Sequence, residues 1–521
     1  MADPAVGKEM YPELRRSLPA QLPAFLVGRR WFGGKARQIR ATELVDVIPI
    51  RSTDASAFLL VVAVKYADGA GETYAVPLLR TEQTAGAAAA AGHAALKIDA
   101  PKSGGSIVFT DALQNEAFLS MLFELIQRQE VLPGEKGELR GLQTSAFARM
   151  YPASSANLRP RPVGAEQSNS STIYGDRLIL KFFRRVEAGI NPDLEIGNFL
   201  TEKAHFAHIA QVAGSLQYWT RDGKQMVQGI LQAFVPNQGD AWSYTLRSLA
   251  DFYAAGPAQT LPAGDSAAAY LASAGLLGQR TAEMHLALAS DPHDRAFAPE
   301  PFTMEFQRTL ENSMLELVKR VFTLLREKIS SLPTAWQSRA SDLAGREREI
   351  AGRFQSALSR PIAATRTRIH GDYHLGQVLY TGSDFVIIDF EGEPARPLAE
   401  RRNKRSPLQD VAGMLRSFHY AAFAPLLAAV GEKPAPAEDA GRLSSWAEAW
   451  NARVADRFLA SYYDTAGAAS YLPENREEAQ KLLDLHLLEK AVYELGYELN
   501  NRPTWVGIPL QGIARLLASH S

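Results

Sequence analysis

The sequence predicts an α+β fold in two consecutive lobes, the first rich in strands and the second in helices, with further β-rich structure ahead of both. Three patterns carry that prediction. Short runs of Val, Ile, Leu and Tyr, broken by Gly, Asp and Ser, recur through the first part of the chain. From about residue 241 the apolar recurrence becomes helical, and one stretch of strands and polar turns, "TRTRIHGDYHLGQVLYTGSDFVIIDFEGEP", interrupts it.

In order, a helix-like N-terminal stretch leads to "RRWFGGKAR" at 29–37 and then to "TELVDVIPI", "SAFLLVVAVKYADG", "ETYAVPLLR" and "GSIVFTDAL", which form an antiparallel meander over about the first 110 residues. The alanine-rich "TAGAAAAAGHAALKI" within it fits a helix or a loop. A second β-rich region follows, with Gly175 and Asp176 turning the chain in "SNSSTIYGDRLILKFFRR" and Asp222 and Gly223 doing so in "GSLQYWTRDGKQMVQGILQAFV". Between them Asn191 caps a helix, Pro192 fits its first turn and Gly214 lies near its end. Long helices are expected near 265–290, 302–330, 334–358, 407–430, 441–465 and 474–499.

A length of 521 residues suggests two to four domains, and 56 basic against 57 acidic residues give no electropositive field for nucleic acid or an acidic membrane. The lack of cysteine excludes disulfides, thiolate catalysis and thiolate metal sites. With no signal-like N-terminal segment and no apolar run of membrane-spanning length, the expectation is a cytoplasmic protein that binds neither nucleic acid nor membrane.

"RRWFGGKAR" pairs glycines with Lys35 but lacks the spacer and the Ser or Thr of a phosphate-binding Walker loop. Trp31 and Phe32 fit better as a hydrophobic anchor on the meander, with Lys35 and Arg37 solvated.

The chemistry lies in "HGDYHLGQ" at 370–377 and "VIIDFE" at 386–391. Asp372 and Asp389 are spaced so that one strand can leave a loop and another return, bringing two carboxylates to one site. Phosphoryl transfer needs that pair, one to orient an alcohol and take its proton and one to hold a divalent cation. Gln377 offers a weaker oxygen donor to the same ion, and His370 fits a loop-holding role. Upstream, Lys181 in "RLILKFFRR" and Glu195 in the following helix form a candidate ion pair beside nucleotide phosphates, and "GAEQSNSSTIYG" can expose backbone N–H groups to anionic oxygens. In the C-terminal half, Arg416, Tyr420, Glu498 and Trp505 combine polar and aromatic groups that fit either the wall of an acceptor pocket or contacts that lock helices together.

Together with "EQSNSS", "KFFRR", "NPDLEIG", "IIDFEGEP", "KRSPLQDVAGMLRSFHYAA" and "YELGYELNNRPTWVGIPL", these segments resemble the protein-kinase-like small-molecule kinases, and more closely the bacterial maltokinases related to aminoglycoside phosphotransferases. The resemblance implies a bilobal protein-kinase-like fold with an additional N-terminal β-rich cap: a cap over 1–112, a nucleotide-binding region over 113–235 and a helical C-lobe over 236–521. It implies ATP and Mg2+ as cofactors and phosphorylation of the anomeric hydroxyl of maltose to maltose 1-phosphate, with functional association with trehalose synthase or a maltosyltransferase. It assigns phosphate contacts to Ser168, Ser170, Ser171 and Lys181, support of the lysine to Glu195, and adenine contacts to the backbone of Gln232, Ala233, Phe234 and Val235. Asp372 matches the catalytic aspartate at the acceptor, and Gln377 and Asp389 match the magnesium positions, with glutamine where the wider kinase pattern has asparagine. The alternatives are a glucosamine, aminoglycoside or other sugar kinase, and a catalytically weak carbohydrate-sensing or scaffold protein.

Overall fold

The computed structural model describes residues 11–51, 56–81, 96–99, 106–152, 158–164, 169–254, 265–432 and 437–518. The chain divides into two compact units, Met1–Pro236 and Asn237–Ser521. Most of the alanine-rich interruption, and Ser168, lie outside the described residues.

The first unit holds two antiparallel sheets. The N-terminal sheet runs in the order β1 (Ile39–Arg51), β2 (Ser56–Tyr66), β3 (Gly69–Thr81), β5 (Ser106–Asp111), β4 (Leu96–Asp99), with β11 (Arg185–Val186) added on β3. Helix α1 (Tyr11–Val27) closes one face with Leu14, Leu18, Leu22 and Leu26, a four-residue spacing that keeps all four on one stripe. Trp31 and Phe32 are buried in the same core against the Tyr74 ring, which lies 5.0 Å from that of Phe32. Gly34 is required by close approach, since a Cβ there would come within 2.1 Å of the Tyr66 hydroxyl. Arg37 is tied to Asp68 at 2.8 Å and lies over the Tyr66 ring, which corrects the expectation that it is simply solvated.

This packing ranks two substitutions. Trp31→Ala is expected to destabilise the cap by about 3 kcal/mol through the lost indole and the cavity left behind. Lys35 is exposed and has no partner among the described residues, so Lys35→Ala is expected to stay within about 0.5 kcal/mol. Thermal unfolding of both variants checks the ranking, and equal melting temperatures would remove the anchoring role.

The second sheet runs β6 (Val131–Pro133), β7 (Gly137–Gln143), β12 (Val212–Thr220), β13 (Gln225–Ala233), β10 (Leu178–Phe183), β9 (Asn169–Tyr174), β8 (Pro160–Val163). Gly175 and Asp176, both at φ 54, make the tight turn from β9 to β10, and Gly223 at φ 82 turns β12 into β13. Helix α2 (Glu116–Gln127), capped by Asn115, buries Phe118, Leu119, Leu122 and Ile126. Helix α3 (Pro192–Glu202) starts at the Asn191 cap with Pro192 in its first turn. It ends earlier than the apolar recurrence suggests. His205 takes a left-handed φ of 51, and Gly214 lies inside β12.

The second unit comprises α4 (Ala241–Ala254), α5 (Asp265–Leu288), α6 (Met304–Lys328), α7 (Thr334–Ala344), α8 (Glu347–Leu358), α9 (Leu408–Glu432), α10 (Ala437–Ala466), α11 (Arg476–Asn501) and α12 (Gly507–Ala518), with shorter helical turns between. The span expected as one helix over 334–358 is two, broken at Gly345 and Arg346. Helix α5 packs along α10, and α9 packs against α10 and α11. The interrupting stretch opens with β15 (Thr365–Arg366), paired with β14 (Glu300–Pro301), and then forms the small ladder of β16 (Val378–Tyr380) and β17 (Phe385–Ile387). Among the described residues no helix is long and apolar enough to cross a membrane.

Candidate active site

In the second unit, the turn 370–377 leads into β16, and β17 returns to Asp389. Besides the ladder, two bonds hold these turns together. Ile388 N–H donates to the Gln377 carbonyl at 3.0 Å. The His370 ring contacts the Ile388 carbonyl through Nε2 at 2.9 Å, so Nε2 carries the proton and Nδ1 is left as the acceptor for the Asp372 N–H, at 3.4 Å. That ring is 1% exposed and lies between Tyr373 and Phe390, 5.2 and 4.8 Å away.

The turn is anchored from α9 by Asp410. Its carboxylate accepts the N–H of His370 at 2.7 Å and that of Gly371 at 2.9 Å, and contacts His285 Nε2 at 3.1 Å. Burial alone would raise the Asp410 pKa. The hydrogen bond and charge of His285, the nearby His370 and the Gly371 N–H outweigh burial and hold it below the usual carboxylate value. Gly371, at φ 83, supplies the left-handed conformation that lets the turn present two successive N–H groups to one carboxylate. Asp389 is also left-handed, at φ 68, a conformation that costs a non-glycine residue about 1 kcal/mol and concentrates at functional sites.

Asp372 is half-buried, and its Oδ1 lies 3.7 Å from Nζ of Lys490 on α11. Tyr493, one turn further along, carries its ring 5.0 Å from that ammonium. Burial raises the Tyr493 pKa, and the neighbouring Glu393 and Asp372 carboxylates raise it further. Burial lowers the His374 pKa against the raising effect of the Asp372 and Asp389 carboxylates, and its Nδ1 accepts the Gly376 N–H at 3.1 Å. The Gln377 side chain makes no hydrogen bond among the described residues and is half-buried, leaving its amide oxygen available.

The acceptor-wall candidates do come together, but mostly with one another. Arg416, 4% exposed, is paired with Glu494 at 2.7 Å. Tyr420 donates to Glu498 at 3.1 Å, and Arg502 holds the same carboxylate at 2.7 Å. Burial, the largest influence, raises the Glu498 pKa against the lowering effect of Arg502. Arg416, Tyr420 and Glu498 therefore join α9 to α11 instead of presenting surface. Of the four, Trp505 alone is half-buried, stacked on Tyr420 at 6.4 Å.

In the first unit, Lys181 on β10 is held at 3.2 Å by Asp193, whose side chain is 1% exposed. Asp193 and Glu195 both lie in the first turn of α3, with Glu195 half-buried. Ser170 and Ser171 are on β9, not in a loop. The Ser170 hydroxyl accepts from Arg184 Nε at 2.9 Å, and Ser171 is buried. The Ser170 hydroxyl is thus engaged by Arg184. Gln232 and Ala233 end β13, Ala233 N–H donates to Gln211 and Phe234 N–H donates to Arg177, each at 2.8 Å. Two of the four expected backbone donors for adenine are thus already used.

Residues 25–114 match the maltokinase N-terminal cap domain. A glucosamine kinase of Mycolicibacterium smegmatis is 26% identical over 362 residues, covering 68% of this chain and 79% of that protein. One from Streptacidiphilus jiangxiensis is 24% identical over 367 residues, covering 68% of this chain and 73% of that protein. Among solved structures, a glucosamine kinase in crystal form B aligns with TM-score 0.65 at 19% identity, covering 97% of this chain and 99% of that one. A glucosamine kinase in complex with glucosamine, ADP and inorganic phosphate aligns with TM-score 0.62 at 19% identity, covering 94% and 98%. The cap-domain match and the two relatives support a small-molecule kinase of the protein-kinase-like superfamily. At 19% identity the structural likeness is one of fold.

Three partnerships at the candidate site were not legible in the sequence. The pairing of Lys181 with Asp193, two residues before Glu195, could not be read because acids in one helical turn cannot be ranked before the strand and helix are packed. Asp410 was legible only as sharing one helical side with Arg416 and Tyr420, not as the anchor of the 370–371 backbone. Lys490 carried no signal, since nothing local connects it to Asp372.

Proposed function

We propose that the chain is an ATP-dependent sugar kinase. The observation that carries this is the second unit's pair of turns, clipped together at Gln377 and Ile388, which offers the Asp372 carboxylate beside a strained Asp389. In this reading Asp372 orients the acceptor hydroxyl and takes its proton as the oxygen attacks the γ-phosphorus. The bond to the bridging oxygen breaks, and ADP leaves with that electron pair. Lys181, positioned by Asp193, steadies nucleotide phosphates. Gln377 and Asp389 offer oxygen donors, the chemistry that suits a hard divalent cation such as Mg2+. When bound, such a cation would neutralise phosphate charge.

Glucosamine is the leading acceptor, supported by the likeness to two glucosamine kinases over 68% of this chain. Maltose is the second reading. Its support is the maltokinase cap, together with the wall carboxylates Glu494 and Glu498, which are already neutralised by Arg416 and Arg502 and so offer no unpaired anion to an ammonium group. ADP release with Mg2+ and ATP is measured across glucosamine, maltose, glucose and an aminoglycoside. The expected result is sugar-dependent ADP formation, fastest with glucosamine. Preference for maltose would reverse the order of acceptors, and no sugar-dependent turnover would favour a sensing or scaffold protein.

A further inference from the structure

Lys490 is an ammonium with unused hydrogen-bonding capacity. Its only carboxylate neighbour among the described residues is Asp372, at 3.7 Å, which is beyond hydrogen-bond distance. None of its three N–H donors meets an acceptor within the described chain. Its side chain is 30% exposed, and the Tyr493 ring 5.0 Å away gives the cation a face to rest on. Were its purpose to lock α11 to the 370–377 turn, a close pair such as Arg416 with Glu494 at 2.7 Å would serve better.

We propose that Lys490 is a catalytic residue that binds the phosphoryl group as it moves to the acceptor hydroxyl at Asp372. This rests on the sugar-kinase reading. During transfer, the acceptor oxygen forms its bond to phosphorus while the bond from phosphorus to the ADP oxygen breaks, and ADP takes the electron pair. The acceptor proton passes to Asp372 and from there to water. Negative charge spreads over the equatorial phosphoryl oxygens, next to a carboxylate that would repel it. Lys490 is placed to offset that repulsion and to donate to one of those oxygens. A flexible stem with a compact point charge suits a group whose position changes along the reaction.

Lys490→Met keeps most of the length of the side chain and removes the charge. With the best acceptor of the panel, turnover of Lys490→Met is expected to fall about 100- to 1,000-fold, the usual loss for one preorganised donor to developing charge. The KM values for ATP and sugar are expected to move less than about threefold, because the contact strengthens in the transition state. Lys490→Arg is expected to recover part of the loss. A second measurement does not need the acceptor to be known. Tetrafluoroaluminate, a planar anionic mimic of the phosphoryl group, is added to ADP and Mg2+, and its tightening of ADP binding is compared in wild type and Lys490→Met. Tightening in wild type that is lost in Lys490→Met, with ADP affinity itself unchanged, is the expected result. Equal tightening in both proteins, no tightening in wild type, or unchanged turnover in the variant overturns the proposal. Absence of sugar-dependent turnover in wild type overturns the sugar-kinase reading instead, so the two failures are distinct.

Discussion

Asp372→Asn is expected to lower sugar-dependent ADP formation by about 100- to 10,000-fold, the range for loss of a positioned general base. The substitution keeps the size and one oxygen of the side chain but removes the proton acceptor. The turn itself should survive, because it is held by the backbone of His370 and Gly371 on Asp410 and by the His370 ring on Ile388. Nucleotide affinity should therefore stay close to wild type. Asp389→Ala should differ in kind, weakening Mg2+-dependent nucleotide binding as well as turnover, since its carboxylate is the charged member of the candidate cation site. Calorimetric titration of Mg-ATP, beside steady-state ADP release, separates the two variants. Normal turnover in Asp372→Asn would remove it as the base, and identical binding and rate losses in both variants would show the carboxylates acting as one structural unit.

Legibility from sequence followed the range of the interactions. The two hairpin turns, the Asn191 cap and the long C-terminal helices were legible because each is set within a few residues. The Gly175–Asp176 turn needs two left-handed residues in succession, and the sequence provides two that tolerate it. Strands β6 and β7 were not legible. "VLP" is too short, and "GELRGLQ" buries only Leu139 and Gly141, so no apolar alternation marks it. The end of α3 was misplaced because Phe206, Ile209 and Val212 continue the apolar recurrence past a backbone break that only the φ of His205 reveals. At the candidate site, the 370–391 segment carries its own turns and strands, so Asp372, Gln377 and Asp389 could be grouped from local pattern. Asp193, Asp410 and Lys490 act through packing, and partners set by packing are invisible until the helices are placed. For the same reason Arg416 and Tyr420 looked available to a sugar: helical spacing puts them on a common side but does not say that α11 already covers it.

Asp410→Ala is expected to cost about 3 to 5 kcal/mol of stability, the range for removing one partner of a buried charged cluster. The loss strands the N–H groups of His370 and Gly371 and one nitrogen of His285, which also contacts the Tyr462 hydroxyl at 2.9 Å. His285 and Asp410 are 0% and 2% exposed, so water cannot replace the missing acceptor without opening the helix packing. Turnover should fall as well, because Asp372 follows directly on the two residues that lose their anchor. Asp410→Asn keeps one acceptor oxygen and should lie between wild type and alanine on both measures. The pH dependence has a definite sign. The folded-state pKa of Asp410 is lowered, so its stabilisation is fully present above the ordinary aspartate value of about 3.9 and is lost as pH falls through the folded value. The stability gap between wild type and Asp410→Ala should thus be constant near neutrality and close only in acid. Urea unfolding across that range measures the gap. A gap that widens on acidification, or an alanine variant as stable and as active as wild type, would show that the catalytic turn is held by something other than this carboxylate.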